Sequence, residues 1–297
     1  MSGDSNQFQE LRLPAVGLEL AACLWNPGAH TPFFALHGWL DNAASMEPLA
    51  RNLPQLQVLA PDMAGHGHSD FRSTDSNYDL VKDVADINAM ANHLRWEKFG
   101  LIGHSRGAMI AALFAATFPE RISHLILLDG GAPLRFDCSE RPARLARAIR
   151  EQAILAAKQG SLFASREAAL HARAKGYVPV DGETAELLAK RALGKEAEGF
   201  RWRADQRLKA GSLNPLDSQT IDVFFSAIRC PVLQIIGRDG LVVEREGPVI
   251  ENTGFGGPVE LIGDFERAVL AGGHHLHITE VGPVAGAIKA WLAKKSV

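Results

Sequence analysis

The stretch "FGLIGHSRGAMIAALFAATF", residues 99–118, constrains this chain more than any other. It runs from a short apolar strand through Gly103, His104, Ser105, Arg106 and Gly107 into a small-residue helix that stops at Pro119. A serine with glycine two residues before it and two after it, between strand and helix, makes a G-x-S-x-G turn. That turn is so tight that a larger side chain at either glycine would collide with the adjoining backbone. In return, the Ser105 hydroxyl stands clear of the sheet at a helix N-terminus. Free N–H groups and the helix dipole there favour developing negative charge. Ser105 is therefore a candidate nucleophile.

The surrounding pattern supports a sheet that can carry such a turn. Apolar runs at Leu18–Trp25, Pro32–Leu40, Phe99–Ile102 and His124–Asp129 read as strands, as does the start of "LQVLAPDMAGHGHSD". A helix with Val84, Ile87, Ala91 and Leu94 on one face lies between two of them. Alternating strands and helices imply crossover connections, hence an α/β fold with a mostly parallel sheet and helices on both faces. From Ala132 to Ile228 the pattern breaks into Ala-, Arg-, Glu- and Leu-rich segments with no convincing strand. Strands resume at Cys230–Gly237 and Arg267–Gly273. A last helix starts near Pro283 and buries Val284, Ala287, Ile288, Trp291 and Leu292. The expected organisation is a sheet core in two parts, 1–131 and 229–297, with a helical cap inserted over 132–228.

A serine nucleophile needs an oxyanion hole and a base. One oxyanion N–H is expected from Arg106, the residue after the nucleophile. The second is expected from Trp39 in "LHGWLDN", where Gly38 lets the backbone come close. The base should follow the last strand, where "AGGHHLHITE" offers His274 directly after the glycine pair, with His275 as the fallback. His274, His275 and His277 lack a cysteine or carboxylate at ligand spacing, so no metal and no cofactor are expected. His66 and His68, in a glycine-shaped turn, are expected to hydrogen-bond locally.

Charge and cysteine usage narrow the partners. A net charge of -3 gives no footing for nucleic acid, and the Arg141, Arg144, Arg147 and Arg150 series reads as a solvated helix face. Cys23, Cys138 and Cys230 are odd in number and widely spaced, which fits neither a disulfide framework nor a zinc site. "MSGDSNQFQE" lacks the basic-then-apolar order of a secretory leader, and no apolar run reaches membrane-spanning length. A cytoplasmic protein acting on a small molecule is expected; a homo-oligomer is left open.

Together "LHGWLDNAASM", "PDMAGHGHSD", "GHSRGAMIA" and "GGHHLHITE" resemble the α/β-hydrolase superfamily, and within it the serine hydrolase-like group, whose members carry these motifs in this order. "WRADQRLK" (202–209) also resembles a segment of that group. The resemblance implies the α/β-hydrolase fold and a Ser-His-acid triad. Dehalogenases and epoxide hydrolases of this fold need a carboxylate where this chain has Ser105, which sets those chemistries aside. For the acid it leaves two candidates. Asp239 follows the resumed strand, the commonest position in the superfamily. Asp129 ends the strand after the nucleophile helix, where the serine hydrolase-like group tends to keep an acidic residue.

The implied activity is hydrolysis of carboxylic esters, with an acyl-enzyme on Ser105. Alternatives on the same triad are C–C bond hydrolysis, amidase or thioesterase activity and perhydrolysis. Ligand binding with little turnover is a further alternative. The Arg106 side chain is expected either to attract an anionic substrate or, in preference, to pair with a cap carboxylate. Trp202, Arg203, Asp205 and Arg207 are expected to serve as pocket rim or salt-bridge residues.

Overall fold

A computed structural model describes residues 8–242 and 256–295. Residues 1–7, part of the stretch read for a leader, lie outside them. The first half of the chain contains β1 (Gln9–Pro14), β2 (Glu19–Trp25), β3 (Thr31–Leu36), α1 (Glu47–Arg51), β4 (Leu56–Pro61), α2 (Leu80–His93), β5 (Phe99–His104), α3 (Arg106–Thr117) and β6 (Ile122–Leu128). There follow α4 (Arg141–Ala156), β7 (Leu162–Phe163), α5 (Arg166–Ala174), α6 (Gly182–Ala192), β8 (Leu193–Glu196), β9 (Gly199–Trp202) and α7 (Ser218–Ala227). The described chain ends with β10 (Val232–Asp239), β11 (Phe265–Gly273), α8 (Leu276–Thr279) and α9 (Val281–Lys294).

Eight strands form one sheet in the order β1-β2-β4-β3-β5-β6-β10-β11. The first two pairings, β1 with β2 and β2 with β4, are antiparallel, and every later one is parallel. The central strands are apolar without a break because both sheet faces are covered. Phe34 and Leu36 of β3 face α2, α3 and α7, while Phe33 and Ala35 face α1 and α9. The side-chain period of two thus feeds one strand into two separate cores.

The helix after the elbow shows why its residues are small. Ten of the twelve α3 residues, Gly107 to Ala116, are buried. A Cβ on Gly103 would strike the Gly107 carbonyl oxygen, and one on Gly107 would strike the Leu36 carbonyl. Two glycines therefore let strand, helix and the loop after β3 meet with backbone touching backbone.

Segment 132–228 departs from the all-helical expectation. β7, β9 and β8 form a small antiparallel sheet. Strands of two and four residues carrying Lys195, Glu196 and Arg201 are too short and too polar to show an apolar alternation. The far end of the segment also differs. Ile221 and Phe225 of α7 belong to the buried cluster that includes α3, so this helix covers the sheet itself.

Buried ion pairs seat the segment on the sheet domain. Arg191 of α6 reaches Asp62 at 2.8 Å and Glu10 at 2.7 Å. Arg207 pairs with Asp205 at 2.7 Å and donates to the carbonyls of Arg72, Ser73 and Ser76. Asp205 also accepts from the Tyr78 hydroxyl at 2.7 Å. Cys23, Cys138 and Cys230 carry free thiols, and no described helix is long and apolar enough to cross a membrane.

Asp62→Ala, which leaves Arg191 with Glu10 alone and deprives the Ala43 and His68 N–H groups of their acceptor, should cost about 2–4 kcal/mol in urea unfolding. A cost below about 1 kcal/mol would show that the segment does not depend on this pair.

Candidate active site

Ser105 follows β5 directly and sits at φ 52°, ψ -115°. That left-handed conformation is rare for a residue with a Cβ and costs of the order of 1–3 kcal/mol, supplied by the packing around it. The turn sets Ser105 at the start of α3, whose first N–H groups have no intrahelical acceptor. Ser105, His274, His275, Trp39 and Arg106 all line one cavity of about 540 Å³, a volume that suits a small molecule.

His274 follows β11, and its Nδ1 lies 2.6 Å from Oδ2 of Asp129 at the end of β6. Asp129 is fully buried and also accepts from the backbone N–H groups of Leu241 at 2.8 Å and Gly237 at 3.3 Å. An acceptor carboxylate on Nδ1 directs the other ring nitrogen, Nε2, away from Asp129. Asp239 behaves differently. It is the last residue of β10 rather than a loop residue; its backbone pairs with Gly273 and its side chain is exposed. The structure thus brings Asp129, and not Asp239, to His274. Parallel pairing of β6 with β10, and of β10 with β11, sets the ends of β6 and β11 side by side across β10.

The loop after β3 carries Gly38 and Trp39 past the elbow. The Trp39 indole N–H donates to the Leu208 carbonyl at 2.8 Å, which links this loop to segment 132–228. The Trp39 backbone N–H has no acceptor among the described residues. His66 accepts from the Leu40 N–H at 3.3 Å, and burial holds its pKa well below the usual histidine value. His68 lies 3.6 Å from Glu10 at the surface. Only His66 Nδ1 bonds within its own turn, at the Met63 and Ala64 carbonyls, while the other contacts reach the loop after β3 and β1.

The Arg106 guanidinium donates to Oδ2 of Asp83 at 2.6 Å and to the Tyr78 carbonyl at 2.9 Å. An ion pair was expected, but its carboxylate comes from α2 rather than from segment 132–228. Asp83 is reached because α2 and α3 pack on the same face of the sheet. Of the rim candidates, Trp202 and Arg203 line the cavity, while Asp205 and Arg207 form the buried pair beneath it.

Asp41 was not singled out from the residues themselves, although it stands within "HGWLDN". It is buried, with Oδ1 2.8 Å from Nη2 of Arg173 and Oδ2 3.2 Å from Nε2 of His275. His104 Nδ1 lies 3.7 Å from the same Oδ2. Burial pushes the Asp41 carboxyl up, but His275 and Arg173 outweigh it and hold its pKa well below the usual value. His277 is enclosed behind this group, and burial foremost drives its pKa down to about 3. One donor atom each of Asp41, His104 and His275 lies within 4.8 Å of the others. That is ligand spacing, although Arg173 already neutralises the carboxylate.

A sequence model of the alpha/beta hydrolase fold matches residues 31–281. Serine hydrolase-like protein 2 of Homo sapiens is 31% identical over 299 residues, spanning 96% of this chain and 94% of its own length. A serine hydrolase-like protein of Danio rerio is 25% identical over 294 residues, 97% of this chain and 89% of that one. The crystal structure of a hypothetical protein from Pseudomonas aeruginosa PAO1 superimposes with a TM-score of 0.87 at 36% identity, covering 96% of this chain and 99% of the other. A thioesterase domain from the curacin biosynthetic pathway shares the fold, with a TM-score of 0.80 at 24% identity over 95% of this chain and 99% of that one. The chain belongs to the α/β-hydrolase superfamily and, within it, to the serine hydrolase-like group.

Because Arg106 is committed to Asp83, its side chain should not select substrates. Arg106→Met should leave the ratio of kcat/KM for anionic and neutral substrates unchanged within about twofold, while lowering stability by about 1.5–3 kcal/mol through the lost charge-assisted hydrogen bond, Asp83 keeping Arg72 at 3.4 Å. Loss of preference for the anionic ester would return a binding role to this guanidinium.

Proposed function

We propose that this chain hydrolyses carboxylic esters of small or medium acyl groups through an acyl-enzyme on Ser105. The observation that carries the proposal is the 2.6 Å contact between Asp129 and His274 at the cavity that Ser105 lines. In this scheme the Ser105 Oγ attacks the carbonyl carbon and its proton passes to Nε2 of His274. The tetrahedral oxyanion is held by the N–H groups of Trp39 and Arg106. His274 then returns the proton to the departing alkoxide, leaving the acyl group on Ser105. Water attacks the acyl carbon with His274 as base, and the acid and a free serine result. Asp129 keeps the imidazole in the tautomer with Nδ1 protonated and stabilises its cationic form.

Segment 132–228 acts in this scheme as a cap. It contributes Phe163, Arg173, Tyr177, Val178 and Trp202 to the cavity wall, so a bound ester is flanked by apolar surface from both parts of the chain. Water exclusion of this kind strengthens the electrostatic stabilisation of the oxyanion.

A fluorophosphonate probe should label Ser105, as located by peptide mapping, and Ser105→Ala should abolish both labelling and ester turnover. Asp129→Asn should lower kcat by about 10³–10⁴-fold, and Asp239→Asn should stay within about twofold of wild type. Absence of label at Ser105 in folded protein would remove the hydrolytic scheme in favour of ligand binding. Equal losses in the two aspartate variants would remove the acid assignment.

A further inference from the structure

Asp41 joins four parts of the molecule at one buried carboxylate. It stands in the loop after β3 that also carries Trp39. Its Oδ1 takes Arg173 from α5 of segment 132–228. Its Oδ2 takes His275, the residue after His274, at 3.2 Å and faces His104, the residue before Ser105, at 3.7 Å. His104 in turn reaches the backbone of His274, with Nε2 2.9 Å from its carbonyl oxygen.

Proton placement in this cluster is determined by its partners. A carbonyl oxygen only accepts, so His104 carries its proton on Nε2. Burial and the neighbouring histidines keep this imidazole neutral. Nδ1 of His104 is then a bare acceptor, and it has no hydrogen-bond partner among the described residues. The proton on the Asp41 side must therefore come from Nε2 of His275. This gives the loop of His274 two independent anchors, one through the His274 carbonyl and one through the His275 ring. Space for the junction depends on Gly38, since a Cβ there would sit 2.9 Å from both Asp41 Oδ2 and His104 Nδ1.

We infer that Asp41 is a positioning residue that couples the seating of α5 to the placement of His274, acting through His275 and His104 and not on the substrate. The inference rests on the hydrolytic role proposed for Ser105 and His274. In it, Arg173 brings the cap's positive charge to Oδ1, and Oδ2 remains free to hold His275. Without the Arg173 contact, Asp41 lacks its counter-ion inside the protein, and the anchor through His275 is weakened. A displacement of a base by about 1 Å can cost of the order of 10² in rate.

The test uses the full chain, a neutral ester and the fluorophosphonate probe. Asp41→Asn should lower kcat about 100-fold and slow Ser105 labelling in parallel, with KM changed by less than threefold. Arg173→Met, which removes the α5 arm and keeps a long apolar side chain on the cavity wall, should lower kcat about tenfold with the same constancy of KM. The double variant should lose no more than Asp41→Asn alone, because both act through one carboxylate. If Asp41→Asn does not fold, Arg173→Met still decides: wild-type kcat in the folded variant overturns the coupling. A rise in KM with kcat unchanged would overturn it too, by making these residues substrate contacts. So would one equivalent of bound metal in the purified protein that Asp41→Asn abolishes, since Asp41 would then be a ligand. Normal turnover by both variants, with wild-type protein labelled at Ser105, would remove this inference alone; failure of wild-type labelling would remove the hydrolytic scheme.

Discussion

Backbone clearance at the elbow is the constraint from which the rest of the site follows. Gly103 lies against the Gly107 carbonyl, and Gly107 lies against that of Leu36. These approaches bring three pieces of chain together at the sheet's edge of action: the end of β5, the start of α3 and the loop after β3. They force Ser105 into a left-handed turn next to Trp39 and Arg106, which line the same cavity. The strain at Ser105 persists because α3 is buried along nearly its whole length, so the turn cannot relax without lifting a packed helix.

Electrostatics in the interior follows one rule throughout: each buried carboxylate is surrounded by donors. Asp129 takes an imidazole and two backbone N–H groups. Asp41 takes Arg173 and His275, and Asp83 takes Arg106 and Arg72. Asp62 takes Arg191 together with the Ala43 and His68 N–H groups. Such pairs add little net stability over apolar packing, because both ions are desolvated, but they tolerate only one arrangement. The arrangement they select here is one cavity lined by residues of segment 132–228, by Ser105 and by the loop of His274.

The elements that run long and apolar were legible. β3, β4, β5, β6, β10 and α3 stand where periodicity and composition put them, because strands buried on both faces must be continuously apolar. Elements stabilised by partners distant in sequence were not. β1 has an exposed, charged outer face and exists through its ladder to β2. β8 and β9, of four residues each, form a hairpin whose polar residues carry no pattern. Among site residues, Arg106 was recognised as ion-paired, but its partner Asp83 was not, since nothing local records which helix packs beside α3.

By itself the sequence determined that a serine would stand in a tight strand-to-helix turn, because only glycine tolerates the backbone contacts at positions 103 and 107. It also determined that a histidine would follow the last strand, and that the alternating segments would form a parallel sheet. Tertiary structure decided between Asp129 and Asp239 as the partner of His274. Both are aspartates at strand ends, and local pattern cannot rank them. Strand order sets the ends of β6 and β11 beside one another across β10, while the side chain of Asp239 points to solvent. Tertiary structure likewise made Asp41 a junction, since Arg173, His275 and His104 meet only after the sheet and the segment above it have packed.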